Sequence, residues 1–310
     1  MMKFRFIKAI FFVLAASLTA CTPKIDPEIS KGQFFSADAN AIDQVTFTRL
    51  QEGKSWSASF NRKEQTPWEI TSAPDSIPLL DRRANDKYLN HLVDSLTSVS
   101  NLKQADRGTD EQLGLAPPKW IIVVGTPYNS NALQLKLGGI DTQTGGVISS
   151  IDMAGVKGTH LLRGSFFGLL DHLKNFQYLR LTTLINKKPG DIFKIEIVHG
   201  KTKSSAERQV NEWIKKNKND VSSRLIPWVE RLIHLQIKNF IDDPNEQQKL
   251  KSLSNSAIEK VDITLTNLQD QAEKWQFFKI NNEVYARSEQ RNNLFFQIYS
   301  EAWSTVKFTF

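Results

Sequence analysis

The chain starts its pattern of strands twice. Ile42-Asp43-Gln44-Val45-Thr46-Phe47 alternates apolar and polar positions with β-branched side chains, as a half-buried strand does. Asp191-Ile192-Phe193-Lys194-Ile195-Glu196-Ile197 does the same. The order behind each start also matches. Trp68 is answered by Trp213, and a helix from Arg82 to Leu96 by one from Ser223 to Leu235. The apolar strand Trp120 to Val124 is answered by Val261 to Leu265. The strand Leu133 to Leu137 has its counterpart in the hairpin Trp275 to Ile280 and Glu283 to Ala286. Closing helices are predicted from Phe166 to Phe176 and from Leu294 to Thr305. Such a repeat predicts an α+β fold, with antiparallel β-sheets packed with helices in two similar tandem halves, 42–185 and 190–310. Asn186-Lys187-Lys188-Pro189-Gly190 is the expected connector.

Within the first half, Trp56 to Phe60 and Pro67 to Ile70 read as short strands, and Pro74 and Pro78 end the run. Tyr88, Leu89, Leu92, Val93 and Leu96 recur at helical spacing and form one apolar face. Gly138-Gly139 and Gly145-Gly146 bracket Asp141-Thr142-Gln143-Thr144, which suits a hairpin before the strand Val147 to Ile151. No helix follows these glycines, so a phosphate-cradling loop is not expected. A further strand falls at His160-Leu161-Leu162.

Residues 1–20 have the layout of a lipoprotein signal peptide. Lys3, Arg5 and Lys8 precede the apolar run Ala9 to Leu14, then small residues lead to Leu18-Thr19-Ala20-Cys21. Cys21, the only cysteine, is the candidate lipidation site. Acylation there would consume the one thiol, leaving none for a disulfide, a thiolate metal site or a nucleophile. The apolar run is far shorter than the roughly 20 residues of a spanning helix, and no later run is long enough. The anchor is then membrane lipid through Cys21 alone, which is stable when two or more acyl chains are attached. Residues 21–41, with Pro23, Pro27 and Gly32, read as a flexible tether. Loss of the three basic signal residues takes the formal net charge from +7 to +4. That mild excess suits a solvated surface better than a lipid-binding face, and nucleic acid is not an expected partner.

Catalytic constellations are not legible. His91, His160, His172, His199 and His234 form neither H-x-x-x-H nor H-E-x-x-H. Adjacent Asp171-His172 would not face each other on a helix. His91 and Asp94, on the same helix as Asp86, are spaced as a surface ion pair. Gly164-Ser165-Phe166-Phe167-Gly168 misses the nucleophile-elbow spacing, and Ser165 suits a helix N-cap. Asp242-Asp243-Pro244-Asn245-Glu246 lacks the ligand alternation of a calcium loop and reads as a helix end and turn. Lys215-Lys216-Asn217-Lys218 reads as a solvated basic turn. The seven tryptophans, Trp56, Trp68, Trp120, Trp213, Trp228, Trp275 and Trp303, mostly sit in apolar patterns that favour core packing over glycan stacking. No catalytic, cofactor-binding or metal residue is therefore assigned, and no cofactor is expected.

From Ile42 to about Ile197 the chain resembles the DUF 4340 family, bacterial domains of unknown function. The resemblance is carried by the strand at Ile42, Trp68-x-Ile70, the helix leading to Leu113-Gly114-Leu115-Ala116-Pro117-Pro118, the strand at Ile121, Leu135-Lys136-Leu137-Gly138, and the restart at Asp191-Ile192. It departs at Val147-Ile148, where members often carry a tyrosine. The resemblance implies a membrane-tethered envelope protein, for some members associated with gliding-type ABC transport systems, and it assigns no catalytic residues. The expected function is a lipid-anchored cell-envelope protein facing the periplasm, acting as a non-catalytic interaction or accessory module with an ABC transporter or envelope protein as partner. A periplasmic hydrolase with a dispersed site and a peptidoglycan- or glycan-binding module remain alternatives. Thr22 after Cys21 leans toward the outer membrane and the resemblance toward the inner one, so the choice stays open.

Overall fold

A computed structural model describes residues 39–310, apart from 51–54, 65, 76, 99–102, 105–107, 141–145, 154–155, 163–172, 211 and 216–220. The first half contains β1 (Gln44–Arg49), β2 (Trp56–Asn61), β3 (Glu69–Ser72), α1 (Asp86–Ser98), β4 (Lys103–Gln104), β5 (Trp120–Thr126), β6 (Asn129–Ile140), β7 (Val147–Met153) and β8 (Val156–Leu162). The second contains β9 (Lys194–His199), β10 (Thr202–Gln209), β11 (Glu212–Lys215), α2 (Ser222–Ile233), β12 (Ile237–Phe240), α3 (Pro244–Ser256), β13 (Lys260–Thr266), β14 (Ala272–Ile280), β15 (Glu283–Ser288), β16 (Phe295–Ile298) and α4 (Ala302–Val306).

Each half builds one eight-stranded antiparallel sheet, and the two orders correspond strand for strand. They run β3-β2-β1-β5-β6-β7-β8-β4 and β11-β10-β9-β13-β14-β15-β16-β12. The fold is α+β with two similar halves. In both, the first strand lies between the strand that follows it directly and one that arrives after the helix. Val45 accordingly pairs with Phe60 and Val124, and Ile195 with Ala206 and Leu265.

The correspondence extends to single side chains. β1 and β9 share the burial pattern that buries Val45 and Phe47, and Ile195 and Ile197. Each is entered from a 3-10 turn, Ala39–Ala41 or Pro189–Asp191, followed by a buried isoleucine, Ile42 or Ile192. Leu89, Leu92, Val93 and Leu96 of α1 match Leu225, Trp228, Val229 and Leu232 of α2 as the faces buried on the sheets. The helix interiors contribute little by propensity alone, and it is this apolar burial that holds them.

The halves differ on the outer face of the second sheet. There α3 packs Leu250 with Ile241, Phe278 and Phe295 in a separate apolar cluster. Consecutive residues of one strand point to opposite faces, so Phe277 and Phe296 serve the main core while Phe278 and Phe295 serve this one.

Four expectations are corrected. The segment Leu294 to Thr305 is not one helix. It forms β16, whose Phe295, Phe296, Gln297 and Ile298 are all buried, and then the short α4. Burial on both faces gives a strand a continuous apolar run. Asp242-Asp243-Pro244 precedes a helix instead of ending one, with Asp243 Oδ1 accepting from Asn245 N–H at 2.8 Å and Pro244 in the first turn. Gly138-Gly139 lies inside β6, where a Cβ on Gly138 would sit 2.4 Å from Leu113 O. These glycines let the Leu113-Gly114 segment approach the strand, and Gly139 N–H donates to Leu113 O at 3.1 Å. Of the closing helix expected at Phe166 to Phe176, residues 163–172 lie outside the described residues; what is described begins with a turn and continues as the 3-10 segment Phe176–Leu179.

Candidate binding cleft between the halves

A tryptophan at the mouth of each sheet is clamped in the same way. Trp68 N–H donates to Asp86 Oδ1 at 2.6 Å, and Trp68 O accepts from Ala84 N–H at 3.1 Å. Trp213 N–H donates to Ser222 Oγ at 2.6 Å, and Trp213 O accepts from Val221 N–H at 3.0 Å. In each case the first residue of the helix ties the strand to the helix N-terminus. An arginine accompanies each tryptophan. Arg62 Nη2 donates to Ala39 O at 2.6 Å and Arg208 Nη1 to Pro189 O at 3.4 Å, so both hold the 3-10 turn that leads into the sheet. In the first half Asn90 Oδ1 joins the set, accepting from Trp68 Nε1 at 2.9 Å and from Arg62 Nη1 at 3.1 Å. The guanidinium of Arg62 lies 4.7 Å from the Trp68 ring centroid.

This first corner opens into a cleft of about 750 Å³ between the halves, with Glu69, Thr71 and Lys63 on one wall and Asn186, Glu273 and Gln290 on the other. The volume is in the range of small-ligand and peptide-anchor sites. Burial lifts the Asp86 carboxyl above its ordinary range, opposed by the Trp68 N–H and by Arg62. Burial likewise lowers Arg62, opposed by Asp94, Asp43 and Asp86. Arg83 reaches across the cleft and donates to Gln290 O. On the far wall Glu273 pairs with Lys187 at 3.2 Å and accepts from Trp275 Nε1 at 2.8 Å. Lys63, Glu69 and Asn186 are among the exposed side chains of its lining.

The relative placement of the walls is fixed below the cleft by two buried ion pairs. Arg180 meets Asp242 in a bidentate contact, 2.5 Å and 2.9 Å. Arg291 pairs with Asp81 and also donates to Leu184 O at 3.3 Å. Each guanidinium lies on a phenylalanine, Arg180 3.7 Å from the Phe240 centroid and Arg291 4.3 Å from that of Phe296. The two rings meet edge to face at 6.1 Å across the β12–β16 pair. The result is a column of cation, ring, ring and cation, closed at each end by a carboxylate from the opposite half. Burial lowers the Arg291 guanidinium, and Asp81 is the main force restoring it.

Cys21, the signal and the tether fall outside the described residues, as do Ser165, Asp171-His172 and Lys216-Asn217-Lys218. His91 and Asp94 are both exposed on α1, and among the described residues no ion pair joins them. Six tryptophans are buried, and Trp56 packs edge to face on Phe176 at 6.1 Å, so their surfaces serve the cores. Among the described residues there is no group of three or more His, Cys, Asp or Glu able to hold a metal ion, and no helix long and apolar enough to cross a membrane. Sequence reasoning missed Arg62, Asn90, Arg83 and Gln290. Only Arg62 carried a local signal, its place at the end of a strand one turn before a tryptophan. Comparison with protein families, curated proteins and solved structures finds no match to this chain.

Proposed function

We propose that this is a lipid-anchored cell-envelope protein, tethered through Cys21, whose two-half body receives a protein partner in the cleft between the sheets. The DUF 4340 resemblance makes a component of an ABC-type transport system the preferred partner. One observation carries the reading: two sheets of identical strand order are locked by the Arg180–Asp242 and Arg291–Asp81 pairs beneath a cleft whose rim sets Lys63, Glu69 and Asn186 in solvent. A rigid, charged and largely pre-formed recess is what an interaction module needs in order to bind without a large ordering cost.

The anchor and the cleft are tested separately. In cells fed radiolabelled palmitate, the wild-type chain should take up label and fractionate with membranes, and Cys21→Ala should do neither. An unlabelled wild type would remove the anchor. A photocrosslinking amino acid at Lys63 or Thr71 should trap a discrete envelope protein that a probe at Lys251, on α3, does not. Identical products from all three positions would remove the cleft as the docking site.

A further inference from the structure

Three tyrosines account for the exposed aromatic residues among the described ones, and two of them share one groove. Tyr178, from the last turn of the first half, and Tyr299, just after β16, are each about half exposed. They flank a groove of about 330 Å³ whose floor is the edge strand β12. Phe240 is half-buried in that floor, and Gln236, Lys238 and Asn239 are exposed along it.

The polar groups are partly committed in a way that defines what remains. Gln236 Nε2 donates to His234 O at 3.2 Å and Asn239 Nδ2 to Gln297 Oε1 at 2.5 Å, so each amide retains its carbonyl oxygen as an acceptor. Lys238 forms no ion pair among the described residues, and no acidic residue lines the groove. Aromatic faces suit the apolar C–H face of a sugar ring, amide oxygens suit its hydroxyls, and an ammonium suits an anionic substituent. A purely apolar peptide segment would leave these acceptors and the cation without partners.

We infer that this groove binds an anionic saccharide, with ring faces against Tyr178 and Tyr299 and a carboxylate or phosphate toward Lys238. The site is on β12, away from the Trp68 corner, and needs neither the lipid anchor nor the docking cleft. Two envelope sources share this chemistry, the carboxylated amino-sugar strands of the cell wall and the phosphorylated sugars of lipopolysaccharide.

The test uses the full-length protein in detergent, sedimented with purified cell-wall sacculi and, separately, with lipopolysaccharide micelles, and titrated with a soluble muramic-acid disaccharide. Binding to sacculi and disaccharide assigns the wall strand, and binding to micelles alone assigns the lipid-linked sugar. Tyr178→Ala and Tyr299→Ala should each weaken binding about tenfold, as loss of one stacking platform does. Tyr299→Phe should retain it. Lys238→Gln should weaken binding to the anionic sugar and leave a neutral N-acetylglucosamine oligomer unaffected. Thermal unfolding of all four variants should match the wild type, since none of these side chains is buried. Failure of the wild type to bind any of the three probes would overturn the inference, as would alanine variants that bind like the wild type. Neither result would touch the palmitate or crosslinking outcomes.

Discussion

Arg180 and Asp242 stand 62 residues apart and meet as a bidentate pair with the guanidinium almost wholly buried. Removing the carboxylate would strand a cation in the core of the joint. Asp242→Ala should therefore cost roughly 3–5 kcal/mol, whereas Arg180→Met combined with Asp242→Leu should recover most of that loss. Denaturant unfolding of the two variants checks it. A single variant as stable as the wild type would show that the Arg180–Asp242 pair does not hold the joint.

The tryptophan clamps differ in chemistry and should respond differently. Ser222→Ala removes a neutral acceptor from Trp213 N–H and should cost about 1 kcal/mol. Asp86→Ala should cost more, about 1.5–3 kcal/mol, because its bond from Trp68 is charge-assisted. Asp86→Asn keeps the acceptor and sheds a charge that burial penalises, so it should be close to neutral. Thermal melts at pH 7 rank the three, and an Asn variant as unstable as the Ala variant would contradict the account.

His160 lies buried on β8 with neither ring nitrogen partnered among the described residues. Burial lowers its pKa below the ordinary value near 6.5. The folded state then binds the proton less tightly than the unfolded chain. Stability from neutral His160 is present above about pH 6.5 and is lost as the pH falls through that value toward the lower folded-state pKa. Unfolding free energy measured between pH 7.5 and 5 should fall more steeply for the wild type than for His160→Leu. Parallel curves would show that His160 does not contribute.

Gly138→Ala places a methyl group 2.4 Å from the backbone oxygen of Leu113, which cannot swing aside like a side chain. It should destabilise by about 1–3 kcal/mol. Gly190→Ala, with nothing within 4 Å of the added carbon, is the matched control and should melt like the wild type.

What could be read in the chain was what has a short period. The strand starts at Ile42 and Ile192 and the apolar faces of α1 and α2 follow the alternation and helical spacing of the sequence, because one side of each element faces water. Phe295-Phe296-Gln297-Ile298 was misread because both faces of β16 are covered, so the segment lacks the alternation of a half-exposed strand and suits a helix equally well. α3 escaped notice because it buries only Leu250 and Ser254, too few for a periodic signal. The joint was invisible for a different reason. Arg291 and Asp81 are 210 residues apart, and nothing local to either distinguishes it from a solvated charge. Tyr178 and Tyr299 were likewise isolated residues until the junction brought them to one groove.

The shared strand order also dictates a timetable. In each half the first strand is made early and then waits for its second partner: β1 has only β2 beside it until Trp120–Thr126 arrive, and β9 has only β10 until Lys260–Thr266. A chain emerging from its N-terminus therefore carries an open sheet edge along β1 for the whole interval in which α1 is produced, the kind of edge that recruits stray strands. Once β5 has docked, β1 is paired on both sides before β9 exists. Synthesis in this order lets β1 find both of its partners before the strands of the second sheet, which share the same order, are made.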